Sequence, residues 1–258
     1  MYTRLLLLRA VTSALRLLPG RGRFLMEPIR RSTRRCPGTV VINDFDGDIK
    51  MELELASELD GAVYWYGSVD PGLLKWLKTA LRPGDTVLDV GAGVGEVTLV
   101  AAKLIGHSGR GVAVETDERQ ADRLGRNLAL NRFDFVDVLK TPLGEPELTT
   151  ESPKESSSVD ALLDEGWFGE VQLLRIAHPE PLAVMRGAAQ VIETSRPYVV
   201  IEGPVGAGQP GREALLMLEQ SDYKFWSLDA RGRAKLVQLS GLQGEHRLVA
   251  APAARPMA

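Results

Sequence analysis

From residue 71 to the C-terminus, short runs of contiguous apolar residues take turns with stretches in which apolar residues recur every three or four positions. The first pattern belongs to strands buried on both faces and the second to the helices that cover them. Seven strands are predicted, at 86–90, 111–115, 135–139, 171–176, 198–202, 223–228 and 247–252. Helices are predicted at 71–81, 96–105, 117–130, 160–164, 182–193 and 212–219. The first opens on Asp70-Pro71, an N-cap followed by proline in the first turn, and Pro83-Gly84 stops it. Ahead of this region, 38–66 reads as strand material, with 39–42 and the alternating 49–55 joined by Asn43-Asp44-Phe45-Asp46-Gly47-Asp48. The polar stretch 145–158 reads as a solvated loop.

Three regions follow: a basic extension at 1–35, a β-hairpin subregion at 36–70, and a domain at 71–258 in which strands and helices alternate. That alternation specifies an α/β fold, a mostly parallel Rossmann-like sheet of seven strands with helices on both faces. The extension carries an apolar run broken by Arg9 and Arg16, well short of the roughly 20 residues of a membrane span. No small-residue cleavage site follows it, which argues against a secretory signal. It reads as an amphipathic helix, packed either on its own domain or subunit partner or, as a peripheral contact, on an acidic membrane surface.

Composition adds to this picture in three places. Residues 1–35 hold nine arginines against Glu27 alone, about +8, so a net charge of -3 leaves about -11 on the remainder. An acidic body argues against a nucleic-acid partner. The single cysteine, Cys36, excludes an internal disulfide framework and fits a reducing, cytoplasmic compartment. No metal site is expected: a calcium loop opening at Asp44 would need glycine and glutamate where Ile49 and Leu55 stand.

The candidate chemistry gathers at Asp89-Val90-Gly91-Ala92-Gly93-Val94-Gly95, between a strand and a helix. Glycines allow both a turn that a Cβ forbids and close approach of the main chain to a ligand. A dinucleotide loop would carry its third glycine at Glu96, so this is GxGxG, which disfavours a nicotinamide enzyme. With Asp89 ahead of it, the loop is similar to the first motif of class I S-adenosylmethionine-dependent methyltransferases. Gly91, Ala92, Gly93 and Gly95, with Asp89, are the expected cofactor residues. Glu115, ending the next strand about two dozen residues on, stands where such units place the carboxylate that accepts ribose hydroxyls. His178 and Glu180 follow the strand 171–176, at the sheet edge where ligands of open α/β sheets lie. Histidine suits the general base for a hydroxyl acceptor, and Glu180 would orient the imidazole or bind the acceptor.

The chain resembles the FkbM-type methyltransferases, which mostly O-methylate hydroxyls of sugars, polyketides and other small molecules. The resemblance rests on Tyr66-Gly67-Ser68-Val69-Asp70-Pro71, Leu81-Arg82-Pro83-Gly84-Asp85 with the glycine loop, the stretch 127–131, Met185-Arg186-Gly187-Ala188, and Arg196-Pro197-Tyr198 running to Glu202. It implies S-adenosylmethionine as cofactor, Tyr66, Gly67 and Thr141 as further cofactor residues, and a small hydroxylated acceptor as partner. Where that family carries Lys-Ile-Asp-Val-Glu-Gly-x-Glu, this chain reads Arg175-Ile176-Ala177-His178-Pro179-Glu180-Pro181-Leu182 and is one residue shorter. Two functions are therefore expected: a small-molecule O-methyltransferase, or a protein that kept the fold as a cofactor-binding or partner-binding module and lost the chemistry.

Overall fold

A computed structural model describes residues 38–143, 158–203, 209, 211–242, 247–255 and 257. The amphipathic helix expected within 1–31 lies outside these residues, as does all of 145–158 except Ser158. No helix of the described residues is long and apolar enough to cross a membrane. Contacts divide the chain into two compact units, one ending at Pro71 and the other beginning at Gly72.

In the first unit, β1 (Thr39–Phe45) and β2 (Ile49–Glu54) form the expected antiparallel hairpin. Asp46 and Gly47 turn it in left-handed conformations, φ 44° and 103°. The strand pattern expected to run to Tyr66 gives way instead to a helix, α1 (Glu58–Tyr66). Capping overrides the strand preference of its valine and aromatic residues. The Ser57 hydroxyl accepts from the Asp60 amide, and the Asp60 carboxylate accepts from the Glu54 amide at 2.7 Å. Gly67, at φ 89°, closes the helix.

The second unit contains α2 (Pro71–Ala80), β3 (Thr86–Val90), α3 (Glu96–Ile105), β4 (Arg110–Val114), α4 (Glu118–Asn131) and β5 (Val136–Leu139). After 157 come α5 (Val159–Asp164), β6 (Leu173–Ile176), α6 (Pro181–Arg186), α7 (Ala189–Ser195), β7 (Tyr198–Glu202), α8 (Gly211–Gln220), β8 (Tyr223–Leu228), β9 (Ala234–Val237) and β10 (Arg247–Pro252). One sheet runs β5-β4-β3-β6-β7-β10-β8-β9, parallel from β5 through β7 and antiparallel beyond. This is the expected mostly parallel Rossmann-like sheet. All seven expected strands are present, and β9 makes an eighth at the edge. Its exposed Ala234, Lys235 and Leu236 carry no buried apolar run to announce it, and its pairing with β8 creates it.

Strand order reverses at β3, which lies between β4 and β6. Right-handed crossovers then place helices on opposite faces before and after the reversal. Leu88, Val90, Leu174, Ile176, Val199 and Ile201 point to the face covered by α5 to α8, forming a continuous apolar core with Leu162, Val184, Val191 and Leu215. On the other face, Trp76 of α2 meets Tyr198 edge-on at 5.3 Å. The single helix expected at 182–193 is broken into α6 and α7 around Gly187 and Ala188. The cause is tertiary: the Asp160 carboxylate accepts from the amides of Gln190 and Val191 at 2.8 and 3.0 Å, while the Asp160 amide donates to Gly187 O at 2.8 Å. A carboxylate from α5 thus starts a new helix where the sequence periodicity would have continued the old one.

Candidate functional site

The reversal of strand order opens a crevice at the carboxyl ends of β3 and β6, the usual ligand position in open α/β sheets. The glycine loop lies there. Gly91, Gly93 and Gly95 adopt φ of 80°, 58° and 99°, and Gly95 caps the N-terminus of α3. At Gly91 the requirement is also spatial, since a Cβ would lie 2.1 Å from Ala177 O. The loop after β3 therefore rests on the loop after β6. The amides of Gly91 and Ala92 donate to Val114 O, and Asn127 Nδ2 donates to Val94 O at 2.9 Å, tying the turn to β4 and α4.

Glu115 faces this turn. Its Oε2 accepts from the Gly93 amide at 2.7 Å and its Oε1 from the Asp117 amide at 2.9 Å. Each oxygen keeps a second lone pair. Asp89 lies beneath the loop with its side chain 1% exposed, where Thr98 Oγ1 donates to Oδ2 at 2.6 Å and Arg175 Nη1 donates to Oδ1 at 2.5 Å. Among the expected cofactor residues, Asp89 therefore acts on the loop from below. Thr141 is exposed after β5. Tyr66 and Gly67 end α1 in the first unit.

Sequence reasoning missed Arg175 and Glu202. Arg175 is the register partner of Asp89 in the parallel ladder, and Glu202 lies two residues beyond its partner Val200 in β7. Side chains alternate along strands, so all three share a face. Arg175 Nε and Nη2 donate to Glu202 Oε1 and Oε2 at 2.9 and 3.1 Å, and Nη1 also reaches Gly91 O at 3.3 Å. Burial opposes the charge on Arg175, but the Asp89 and Glu202 carboxylates outweigh it and hold the guanidinium above its ordinary pKa. One signal was legible: each of three apolar strands carries one charged residue near its end, and the signs are complementary.

The loop after β6 forms one wall of a cavity of about 360 Å³, lined by Ala177, His178, Pro179, Pro181, Ile201 and Glu202, among others. His178 Nδ1 accepts from the Glu180 amide at 3.1 Å. Nδ1 is the acceptor in this contact, which leaves Nε2 directed away from it. Glu180 thus orients the imidazole through its main chain, while its exposed residue position precedes Pro181 as the N-cap of α6.

Residues 69–143 match the protein-L-isoaspartate(D-aspartate) O-methyltransferase family, a segment that includes the glycine loop, Glu115 and Thr141. The ribosomal protein L11 methyltransferase of Neisseria meningitidis serogroup B is 48% identical over 62 residues, covering 24% of this chain and 20% of that protein. An S-adenosylmethionine-dependent O-methyltransferase from Thermotoga maritima shares 18% identity at a TM-score of 0.47, covering 85% of this chain and 79% of that one. An O-methyltransferase from Bacillus cereus, solved with S-adenosylhomocysteine, shares 17% identity at a TM-score of 0.46, covering 72% and 82%. The chain spans about a fifth of the length of these curated relatives, and the segment that matches the family, 69–143, holds β3, β4 and β5 with the glycine loop.

Proposed function

We propose that this chain is an S-adenosylmethionine-dependent methyltransferase of the FkbM-type kind, acting on a hydroxyl of a small molecule or sugar. The observation that carries the reading is the GxGxG turn at the reversal of strand order, with Glu115 held opposite Gly93. The residues present fit the cofactor. Three left-handed glycines keep the turn free of side chains, and the remaining lone pairs of Glu115 are available to ribose hydroxyls. When bound, S-adenosylmethionine supplies a methyl carbon already activated by a sulfonium. What the chain contributes is alignment of the acceptor oxygen with that carbon, and a destination for the hydroxyl proton.

The cavity after β6 holds the acceptor in this reading. In this reading His178, the expected base, hydrogen-bonds the acceptor oxygen through Nε2. Glu202, on the same cavity, accepts the hydroxyl's hydrogen bond and takes up its proton. A second reading, a binding module without transfer, is supported by the altered stretch from Ala177 to Pro181 and by the engaged His178 Nδ1.

Calorimetric titration with S-adenosylhomocysteine, followed by turnover of S-adenosylmethionine against a panel of sugars, phenols and aliphatic alcohols, separates the two. Binding with turnover that falls in His178→Ala is the expected result. Binding without turnover on the whole panel selects a cofactor-binding module, and no binding by the intact protein overturns the methyltransferase and leaves only a partner-binding module.

A further inference from the structure

Arg175 stands between two places that the proposed function uses separately. Through Nη1 it holds Asp89 and touches Gly91 O beneath the cofactor turn; through Nε and Nη2 it grips both oxygens of Glu202 on the acceptor cavity. The side-chain exposures run from 1% at Asp89 through 10% at Arg175 to 26% at Glu202, so the chain of charges leads from the sheet interior out to the cavity. We infer that Arg175 is a positioning residue that couples occupancy of the acceptor cavity at Glu202 to the geometry of the glycine loop. The inference deepens the proposed function and rests on it.

The physical argument is one of shared valence. A guanidinium has five N–H donors in a rigid plane, and here that plane is divided between two carboxylates on neighbouring strands. Burial leaves little water to replace a lost partner, so a change at either carboxylate shifts the fork toward the other. Each Glu202 oxygen retains a lone pair beyond its bond to Arg175, and an acceptor hydroxyl that donates there withdraws charge from the Arg175 contact. The guanidinium then binds Asp89 more closely and draws on the Gly91 carbonyl at the base of the turn. The acceptor class favoured by this arrangement donates a hydrogen bond to a carboxylate, as a hydroxyl does, and an ether or other acceptor-only group is excluded.

The test is a double-mutant cycle read by calorimetric titration of S-adenosylhomocysteine, with circular dichroism melts to check folding. Glu202→Gln removes charge at the cavity and is expected to weaken binding about threefold, and Arg175→Met about tenfold or more. In the Arg175→Met background, Glu202→Gln is expected to add no further loss. Arg175→Lys restores the charge without the fork, so it is expected to recover part of the affinity while leaving Glu202→Gln silent; this variant decides the matter if Arg175→Met does not fold. Losses that multiply in the double variant, or a Glu202→Gln protein that binds like the parent, overturn the coupling while leaving the proposed function intact. Failure of the parent protein to bind S-adenosylhomocysteine overturns the proposed function and this inference with it.

Discussion

Replacing Gly91 by alanine tests whether the two loops at the crevice really set each other's position. Gly91 has φ 80°, and a left-handed conformation costs a residue with a Cβ about 1–2 kcal/mol. The added atom would also lie 2.1 Å from Ala177 O and 2.9 Å from Ala177 C, main-chain atoms that have no rotamer by which to move aside. Forced repacking of that kind adds about 1–3 kcal/mol. The sum is about 3 kcal/mol, which lowers the melting temperature of a domain of this size by about 6–12 °C. Gly166 provides the control, because it has φ 77° and nothing within 4 Å of its would-be Cβ. Gly166→Ala therefore carries the conformational cost alone, about 1 kcal/mol and a shift of about 2–4 °C. Thermal melts and urea titrations of the two variants give the comparison, and S-adenosylhomocysteine affinity is expected to fall only in Gly91→Ala. Equal destabilisation of the two would refute the claim that the loop after β3 bears on the loop after β6.

Three other substitutions have expected outcomes. Tyr223 is buried with its hydroxyl unpartnered among the described residues, so Tyr223→Phe should raise stability by about 1 kcal/mol in denaturant titrations. Burial pushes the Tyr223 hydroxyl up to about 12 from 10.0, against opposing effects of Arg196 and Arg255, so the unfolded chain ionises first. Stability from that difference is present below pH 10 and is lost as pH rises from 10 to 12, a decline that should be smaller in Tyr223→Phe. Asp160→Ala should cost about 1–2 kcal/mol by uncapping α7, and a loss below a few tenths would show that the break at Gly187 has another cause. Glu115→Ala should reduce S-adenosylhomocysteine affinity at least about tenfold, since charge-assisted hydrogen bonds contribute about 1.5–3 kcal/mol each; unchanged affinity in calorimetry would remove Glu115 from the site.

What could be read from the chain depended on how local the cause was. The glycine turn is legible because its reason lies within a few residues: positive φ and a strand-to-helix reversal leave their mark on residue choice directly. Glu115 is legible because the length of one strand-helix-strand unit fixes its separation from the turn. The helix at 58–66 was misread because the aromatic and β-branched residues there suit a strand, whereas the Ser57 and Asp60 capping contacts decide for a helix. The break between α6 and α7 was invisible because Asp160, which causes it, lies some 30 residues earlier.

By itself, the sequence determined the alternation of strands and helices, the place of the glycine turn, and the carboxylate opposite it, because periodicity, turn chemistry and spacing act over short stretches of chain. Only the tertiary structure decided that Asp89 is buried beneath the loop against Thr98 and Arg175, that Arg175 spans β3 and β7, and that His178 Nδ1 meets the Glu180 amide. Those outcomes depend on which strands become neighbours and in what register. Asp89 and Arg175 are 86 residues apart in the chain and 2.5 Å apart in the fold, and a hydrogen bond responds only to the second separation.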